Sequence, residues 1–227
     1  MRWRSGYTRS ASPFDFAVID ESQDISVAQL RFLAALRGNR PDALFFAGDL
    51  GQRIFQQPFS WKSLGVDVRG RARTLHINYR TSHQIRMQAD RLLGAEVSDV
   101  DGNAEERGRT VSTFNGPPPL IRVCEDQAQE CKVVSDWRLD QIEQGVAPHE
   151  IAVMVRSAAE VPRATAALDA ARLPYLVLDE RLQTQSGRGS VCTMHLAKGL
   201  EFRSVAVMAC DDEIEPLPMT HEPEGIA

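Results

Sequence analysis

The sequence predicts an α/β fold of parallel strands carrying helices on both faces. Three observations lead there. Short apolar runs at 16–19, 43–47 and 151–155 are unbroken by polar residues, as in strands buried on both sides. The segments between such runs repeat apolar residues at helical spacing, so strand and helix alternate. The first two runs end abruptly in Asp20-Glu21 and Gly48-Asp49, and the carboxyl ends of parallel strands face the ligand crevice in open sheets.

Taken in order, the first strand covers 16–19. Ser26 is placed to cap a helix in which Val27, Leu30, Leu33 and Ala34 recur, and Gly38-Asn39 ends it after Arg37. The strand at 43–47 completes a βαβ unit. A basic stretch, Arg69-Gly-Arg-Ala-Arg73, marks a boundary, and a short strand at 74–77 and a helix to about residue 93 follow. Residues 94–119 are rich in Gly, Asp, Glu and Pro and read as a loop or small ornament. Beyond them the pattern gives a strand at 120–124, a helix at 126–143, a strand at 151–155 and a helix at 161–171. Strands at 175–178, 190–195 and 204–209 close the series. The division expected is 1–72 as an incomplete first domain and 73–227 as a second. Two strands and one helix are too little for an independent core, so 1–72 should expose apolar sheet surface.

Composition narrows the class. The 227 residues are 43% hydrophobic and 25% charged, which fits one or two ordinary globular domains. No apolar run approaches the roughly 20 residues that span a bilayer. The start is basic but lacks an apolar core, so it is no secretory signal. A cytoplasmic chain without membrane contact is expected. Cys124, Cys131, Cys192 and Cys210 have no paired zinc-type spacing and read as reduced thiols. With a net charge of −5, any nucleic-acid contact must come from a local patch.

The strand ends carry the chemistry. Asp20 is suited to hold a hydrated Mg²⁺ beside a triphosphate, and Glu21 to orient and deprotonate an attacking water. The competing reading is that both acids favour the N-terminus of the following helix. Gln52, past the second strand, can hydrogen-bond a terminal phosphate. Phe55 and Trp61 offer flat faces for unpaired bases, worth about 1–3 kcal/mol each, or they pack the core, which is the stronger reading for Phe59. Tyr79 can stack on a purine, and Arg80 can reach a γ-phosphate or form a surface ion pair. Thr193 and His195 can touch a nucleic-acid backbone, Lys198-Gly199 turns the chain, and Glu201 can accept from ribose hydroxyls.

Four blocks make this pattern specific: Val18-Ile-Asp-Glu-Ser-Gln-Asp24, Gly48-Asp-Leu-Gly-Gln-Arg-Ile-Phe55, Asn78-Tyr-Arg80 and Thr193-Met-His-Leu-Ala-Lys-Gly-Leu-Glu-Phe202. In this order they resemble successive motifs of UvrD/Rep-type superfamily 1 DNA helicases, and the stretch at 151–178 resembles the segment between the last two. The resemblance implies RecA-like P-loop NTPase sheets and ATP with Mg²⁺ as cofactors. It also implies single-stranded DNA as partner, with movement usually 3′ to 5′. Asp20 would coordinate Mg²⁺, Glu21 would activate water and Gln52 would sense the γ-phosphate. Tyr79 would stack on adenine, Arg80 would supply the arginine finger, and Glu201 and Lys198 would face the nucleotide. Phe55, Trp61, Thr193 and His195 would contact DNA. The second block departs from the family after Gln52, reading Arg-Ile-Phe-Gln-Gln-Pro-Phe-Ser-Trp61.

The sequence contains no Gly-x-x-x-x-Gly-Lys-Ser/Thr, the loop that cradles β- and γ-phosphates. The family's closing arginine motif is not found after Phe202, and too few residues separate Arg80 from Val191 for the family's large inserted subdomain. The expectation is therefore the internal portion of a helicase, inactive by itself. Its phosphate loop would come from an N-terminal part of the same protein or from another chain. The alternatives are a non-catalytic nucleic-acid-binding or regulatory module, or one half of a split helicase.

Overall fold

The structure, a computed structural model, describes residues 14–53, 57–92 and 96–211. It is mixed α/β, with parallel strands and helices in two compact units that divide between Ile121 and Arg122.

In the first unit, β1 (Ala17–Ile19) lies parallel to β2 (Leu44–Phe46), with Ala17 opposite Leu44 and Ile19 opposite Phe46. Between them runs α1 (Val27–Arg37). Its start is a capping box: Ser26 Oγ accepts from Gln29 N at 3.3 Å, and Ser26 N donates to Gln29 Oε1 at 2.8 Å. Gly38 ends it at φ 60°, a backbone state that excludes most side chains. The βαβ unit read from the sequence is thus present.

Strand alternation sends Ile19, Leu44 and Phe46 inward, where they meet Ile25, Leu30 and Val66. The same alternation sends Phe16, Val18 and Phe45 outward, where each is more than 60% exposed. Helices were expected on both faces. Among the described residues, α1 covers one face of this sheet and leaves the other bare, because a single helix can pack against only one side.

The rest of this unit is β3 (Ile77–Asn78), α2 (His83–Asp90), β4 (Glu96–Ser98), β5 (Ala104–Glu106) and β6 (Val111–Ser112). β3 pairs parallel with β6, and β4 and β5 form an antiparallel hairpin. Within the stretch at 94–119, read as a loop or small ornament, lie the hairpin and β6. In the basic segment at 69–73, Arg69 pairs with Asp67 at 2.7 Å and Arg71 pairs with Asp42. By compactness residues 74–121 group with what precedes them, and the first unit ends at Ile121. The strand expected at 120–124 does not form. Leu120, Ile121 and Val123 find no ladder partner and stay exposed.

The second unit contains α3 (Gln127–Glu143), β7 (Ile151–Val155), α4 (Val161–Ala170), β8 (Tyr175–Val177), β9 (Gly189–Thr193) and β10 (Ser204–Val207). The four strands form one parallel sheet in the order β10-β7-β9-β8. Its central strands are β7 and β9, and all five residues of β9 are buried. Val134 of α3 and Ala164, Ala167 and Leu168 of α4 close over Val153, Val155 and Val191. All four cysteines are free thiols, and burial pushes those of Cys131, Cys192 and Cys210 up, away from reactivity.

Arg138 of α3 is 1% exposed, and burial pushes its guanidinium down. Nη2 donates to Pro174 O at 2.7 Å and lies against the backbone of Gly189, where no Cβ fits. Gly189→Ala is therefore expected to cost about 1–3 kcal/mol through overpacking. Arg138→Met in the same background should recover most of that loss. Urea denaturation of the three proteins checks both, and an unchanged midpoint for Gly189→Ala would refute the packing account.

Candidate functional site

β1 and β2 run parallel, so their polar ends emerge on the same edge of the first unit. Asp20 and Glu21 are exposed there. Glu21 N donates to Asp20 Oδ1 at 2.9 Å, and Glu21 itself sits at φ 50°, ψ 41°, a strained state for a residue with a side chain. Ser22 N donates to Ala47 O at 2.9 Å, which stitches the two strand ends together.

Gln23 completes that join. Only 5% exposed, it donates through Nε2 to Glu21 Oε2 and accepts at Oε1 from Asp49 N at 3.1 Å. Gly48 is required beside it: a Cβ there would lie 2.5 Å from Gln23 Oε1 and 2.6 Å from Ser22 Oγ. Asp49 then directs the next turn. Its Oδ1 accepts from Gly51 N at 2.8 Å, and its Oδ2 accepts from Gln52 Nε2 at 2.9 Å. A continuous polar path thus runs from Glu21 through Gln23 and Asp49 to Gln52.

Arg107, just after β5, meets this path from the other side. Its Nη1 lies 3.0 Å from Asp49 Oδ1 and 3.9 Å from Glu105 Oε1, and its Nη2 lies 3.4 Å from Asp90 Oδ1. Glu105 Oε2 accepts from Leu50 N at 3.2 Å. A cleft of about 380 Å³ opens between Asp49, Asn78, Tyr79, Arg80 and Arg107. Asn78 Oδ1 accepts from the backbone N–H groups of Arg80 and Thr81 at 2.9 and 3.0 Å, so β3 ends in a turn that carries Tyr79 and Arg80. Tyr79 is 73% exposed.

Trp61 is half-buried and packs edge-on against Phe46, with ring centroids 4.8 Å apart. Phe59 joins the same cluster, as core packing predicts. Phe55 lies outside the described residues. The segment before Trp61 is held by the hairpin tip: Ser60 Oγ donates to Asp101 Oδ1, and Lys62 N donates to Asp101 Oδ2 at 3.0 Å.

In the second unit, Thr193 ends β9. It is buried, with Oγ1 3.4 Å from Nε2 of the exposed His195. The turn continues through half-buried Lys198 and Gly199 at φ 82° to exposed Glu201. Arg163 of α4 pairs with Glu130 and Asp211, while Glu130 Oε1 accepts from Ala209 N at 2.9 Å, which anchors the chain just past β10.

Sequence reasoning noted Asp49 only as the acid that closes the second strand, and it passed over Gln23, Asp101 and Arg107. Gln23 and Asp49 sit inside the quoted blocks, so the blocks themselves were the signal. Asp101 and Arg107 gave none, because their partners lie far along the chain. Among the described residues there is no group of three or more His, Cys, Asp or Glu side chains that could hold a metal. The exposed Asp20 carboxylate does suit Mg²⁺, which commonly takes one or two carboxylates and completes its shell with phosphates and water.

No protein-family model matches the chain. Over 165 residues it is 28% identical to the ATP-dependent DNA helicase UvrD2 of Mycobacterium bovis, strain ATCC BAA-935 / AF2122/97. The same figures hold for UvrD2 of two Mycobacterium tuberculosis strains, CDC 1551 / Oshkosh and ATCC 25618 / H37Rv. The chain is distantly similar to a DNA helicase. The alignment takes in 70% of this chain but 23% of each relative's length. Among the described residues no helix is long and apolar enough to cross a membrane.

The Ser60 hydroxyl and the Lys62 and Trp61 amides hold the Asp101 carboxyl below the ordinary carboxylate range, the hydroxyl contributing most. A carboxyl lowered on folding stabilises the fold above its unfolded value, and that contribution fades as pH falls through the folded one. The hairpin-tip clamp should therefore be complete above about pH 4 and weaken only below it. An NMR titration of the Lys62 amide is expected to have its midpoint below 3.8. A midpoint at or above that value would contradict the clamp.

Proposed function

We propose that this chain is a portion of an ATP-dependent DNA helicase or translocase that couples ATP hydrolysis to movement on single-stranded DNA, in the 3′ to 5′ direction. The observation that carries this reading is the polar path from Glu21 through Gln23 and Asp49 to Gln52. It joins an acid pair and a glutamine at adjacent strand ends, the arrangement that water-activating and phosphate-sensing groups need. The distant similarity to UvrD2 supports the same assignment.

In this reading Asp20 holds Mg²⁺ and Glu21 takes a proton from the attacking water at its carboxylate. Gln52 hydrogen-bonds the γ-phosphate or that water, Tyr79 stacks on the adenine, and Arg80 neutralises charge on the γ-phosphate. Glu201 and Lys198 are assigned to the nucleotide by their place in the fourth block. Thr193 and His195 contact the DNA backbone, with Trp61 and Phe55 as the base-stacking pair. Bound Mg²⁺ offsets phosphate charge and supplies electrophilic assistance. Residues 1–72 correspond to part of a first RecA-like domain and 73–227 to a second, by the order of the blocks.

The phosphate-binding loop comes from outside these 227 residues, from the same protein or from another chain. The bare face of Phe16, Val18 and Phe45 supports a covering segment of one kind or the other. It also keeps open the reading of one half of a split helicase. A non-catalytic nucleic-acid-binding or regulatory module is the remaining alternative.

ATP hydrolysis by the purified chain, with and without single-stranded DNA, tests this. No turnover is expected from the chain alone. DNA-stimulated turnover is expected once the phosphate-loop portion is restored, and Glu21→Gln should lower it at least about 100-fold. Restored turnover that survives Glu21→Gln would overturn the assignment.

A further inference from the structure

The β4–β5 hairpin has no role in the reading above, yet it holds both ends of the segment that joins Gln52 to Trp61. At its base, Glu105 accepts from Leu50 N, and Arg107 binds the Asp49 carboxylate that orients Gln52. At its tip, Asp101 accepts from Ser60 Oγ and Lys62 N, and Ser60 Oγ in turn accepts from Ser63 N at 3.1 Å.

The hairpin is built to carry force between those points. Glu96, Val97 and Ser98 pair with Glu106, Glu105 and Ala104. Its turn is tied by Asp99, whose carboxylate accepts from Asp101 N at 3.0 Å, from Asn103 N at 2.8 Å and from Asn103 Nδ2 at 2.7 Å. The base is tied equally well. The Arg107 side chain is 14% exposed and reaches Asp49, Asp90 and Glu105, on three different segments. Arg86 of α2 joins them, with Nε 3.1 Å from Asp90 Oδ2 and Nη2 donating to Arg107 O at 2.9 Å. The helix that follows Tyr79 and Arg80 is therefore fastened to the same point as the Asp49 turn.

We propose that the β4–β5 hairpin is a coupling brace that links the Gln52 end of the 49–62 segment to its Trp61 end. Arg107 is the positioning residue at one end and Asp101 at the other. The inference deepens the helicase reading, because it gives a physical link between the nucleotide-facing glutamine and the aromatic proposed for DNA. A change in the Asp49 turn on nucleotide binding is transmitted through Arg107 and Glu105 into the hairpin and out through Asp101. Coupling of this kind is reciprocal by thermodynamic necessity: a disturbance at either end must reach the other.

Amide hydrogen exchange followed by NMR on the 227-residue chain tests reciprocity directly. Arg107→Gln should speed exchange at Leu50–Gln52, and also at Lys62–Leu64, which the ion pairs of Arg107 with Asp49, Asp90 and Glu105 do not reach, by about fivefold or more. Asp101→Asn should speed exchange at Lys62–Leu64 and, by a similar factor, at Leu50–Gln52. Arg107→Lys, which keeps the charge, should restore part of the protection. Exchange in α1 serves as the control for folding. Should Arg107→Gln unfold α1, Asp101→Asn decides by the same comparison. Acceleration confined in each variant to its own end would overturn the proposal, since a merely structural anchor loosens only its neighbours. No nucleotide enters this measurement, so its failure is separate from any failure of the hydrolysis assay.

Discussion

The first unit depends on the Asp49 carboxylate. Two oxygens receive three donors: the Gly51 amide, the Gln52 side chain and the Arg107 guanidinium. The Asp49 backbone N–H meanwhile satisfies the buried Gln23. Charged hydrogen bonds of this type are worth more than neutral ones. The Asp49 side chain is 32% exposed, so solvent screens part of its attraction to Arg107. Geometry gains more here than stability does. One carboxylate orients Gln52 and seats the hairpin, while the Asp49 backbone N–H ties the two strand ends through Gln23.

The local parts of this arrangement were legible in the sequence. Ser26, Gln29 and Gly38 announce the limits of α1, and the uninterrupted apolar runs announce β1, β2 and β7. Asp20, Glu21 and Gln52 were readable as candidates because they follow such runs. What stayed hidden depends on partners distant in the chain. Arg107 meets Asp49 across 58 positions, and nothing in Arg107-Gly-Arg indicates which acid it will find. The hairpin was masked by composition, because its Gly, Asp and Asn residues signal a turn equally well with or without strands beside it. The apolar stretch at 120–124 misled in the opposite direction. Strand propensity needs a neighbour to hydrogen-bond, and none adjoins it.

Each unit solves the burial problem differently. In the second, central strands β7 and β9 are covered well enough to bury every residue of β9, and a cation, Arg138, is enclosed with them. In the first, two short strands alternate between a packed side and a bare one, so Phe16, Val18 and Phe45 stay in water while Ile19 and Phe46 do not. The polar network around Asp49 lies at the ends of these same strands. It compensates for a small core by joining β1, β2, α2 and the hairpin through directional contacts. That explains why residues 74–121 belong with the first compact unit although a basic, turn-rich stretch precedes them.

A double-mutant cycle between Gln23→Ala and Arg107→Met tests the central role of Asp49 most directly. Both residues bind Asp49, one at its backbone and one at its carboxylate. If Asp49 joins them into one unit, the unfolding free energies from urea denaturation should depart from additivity by about 0.5 kcal/mol or more. Losses that add to within about 0.3 kcal/mol would mean that the two contacts act independently, and Asp49 would then be a neighbour to both and a link between neither.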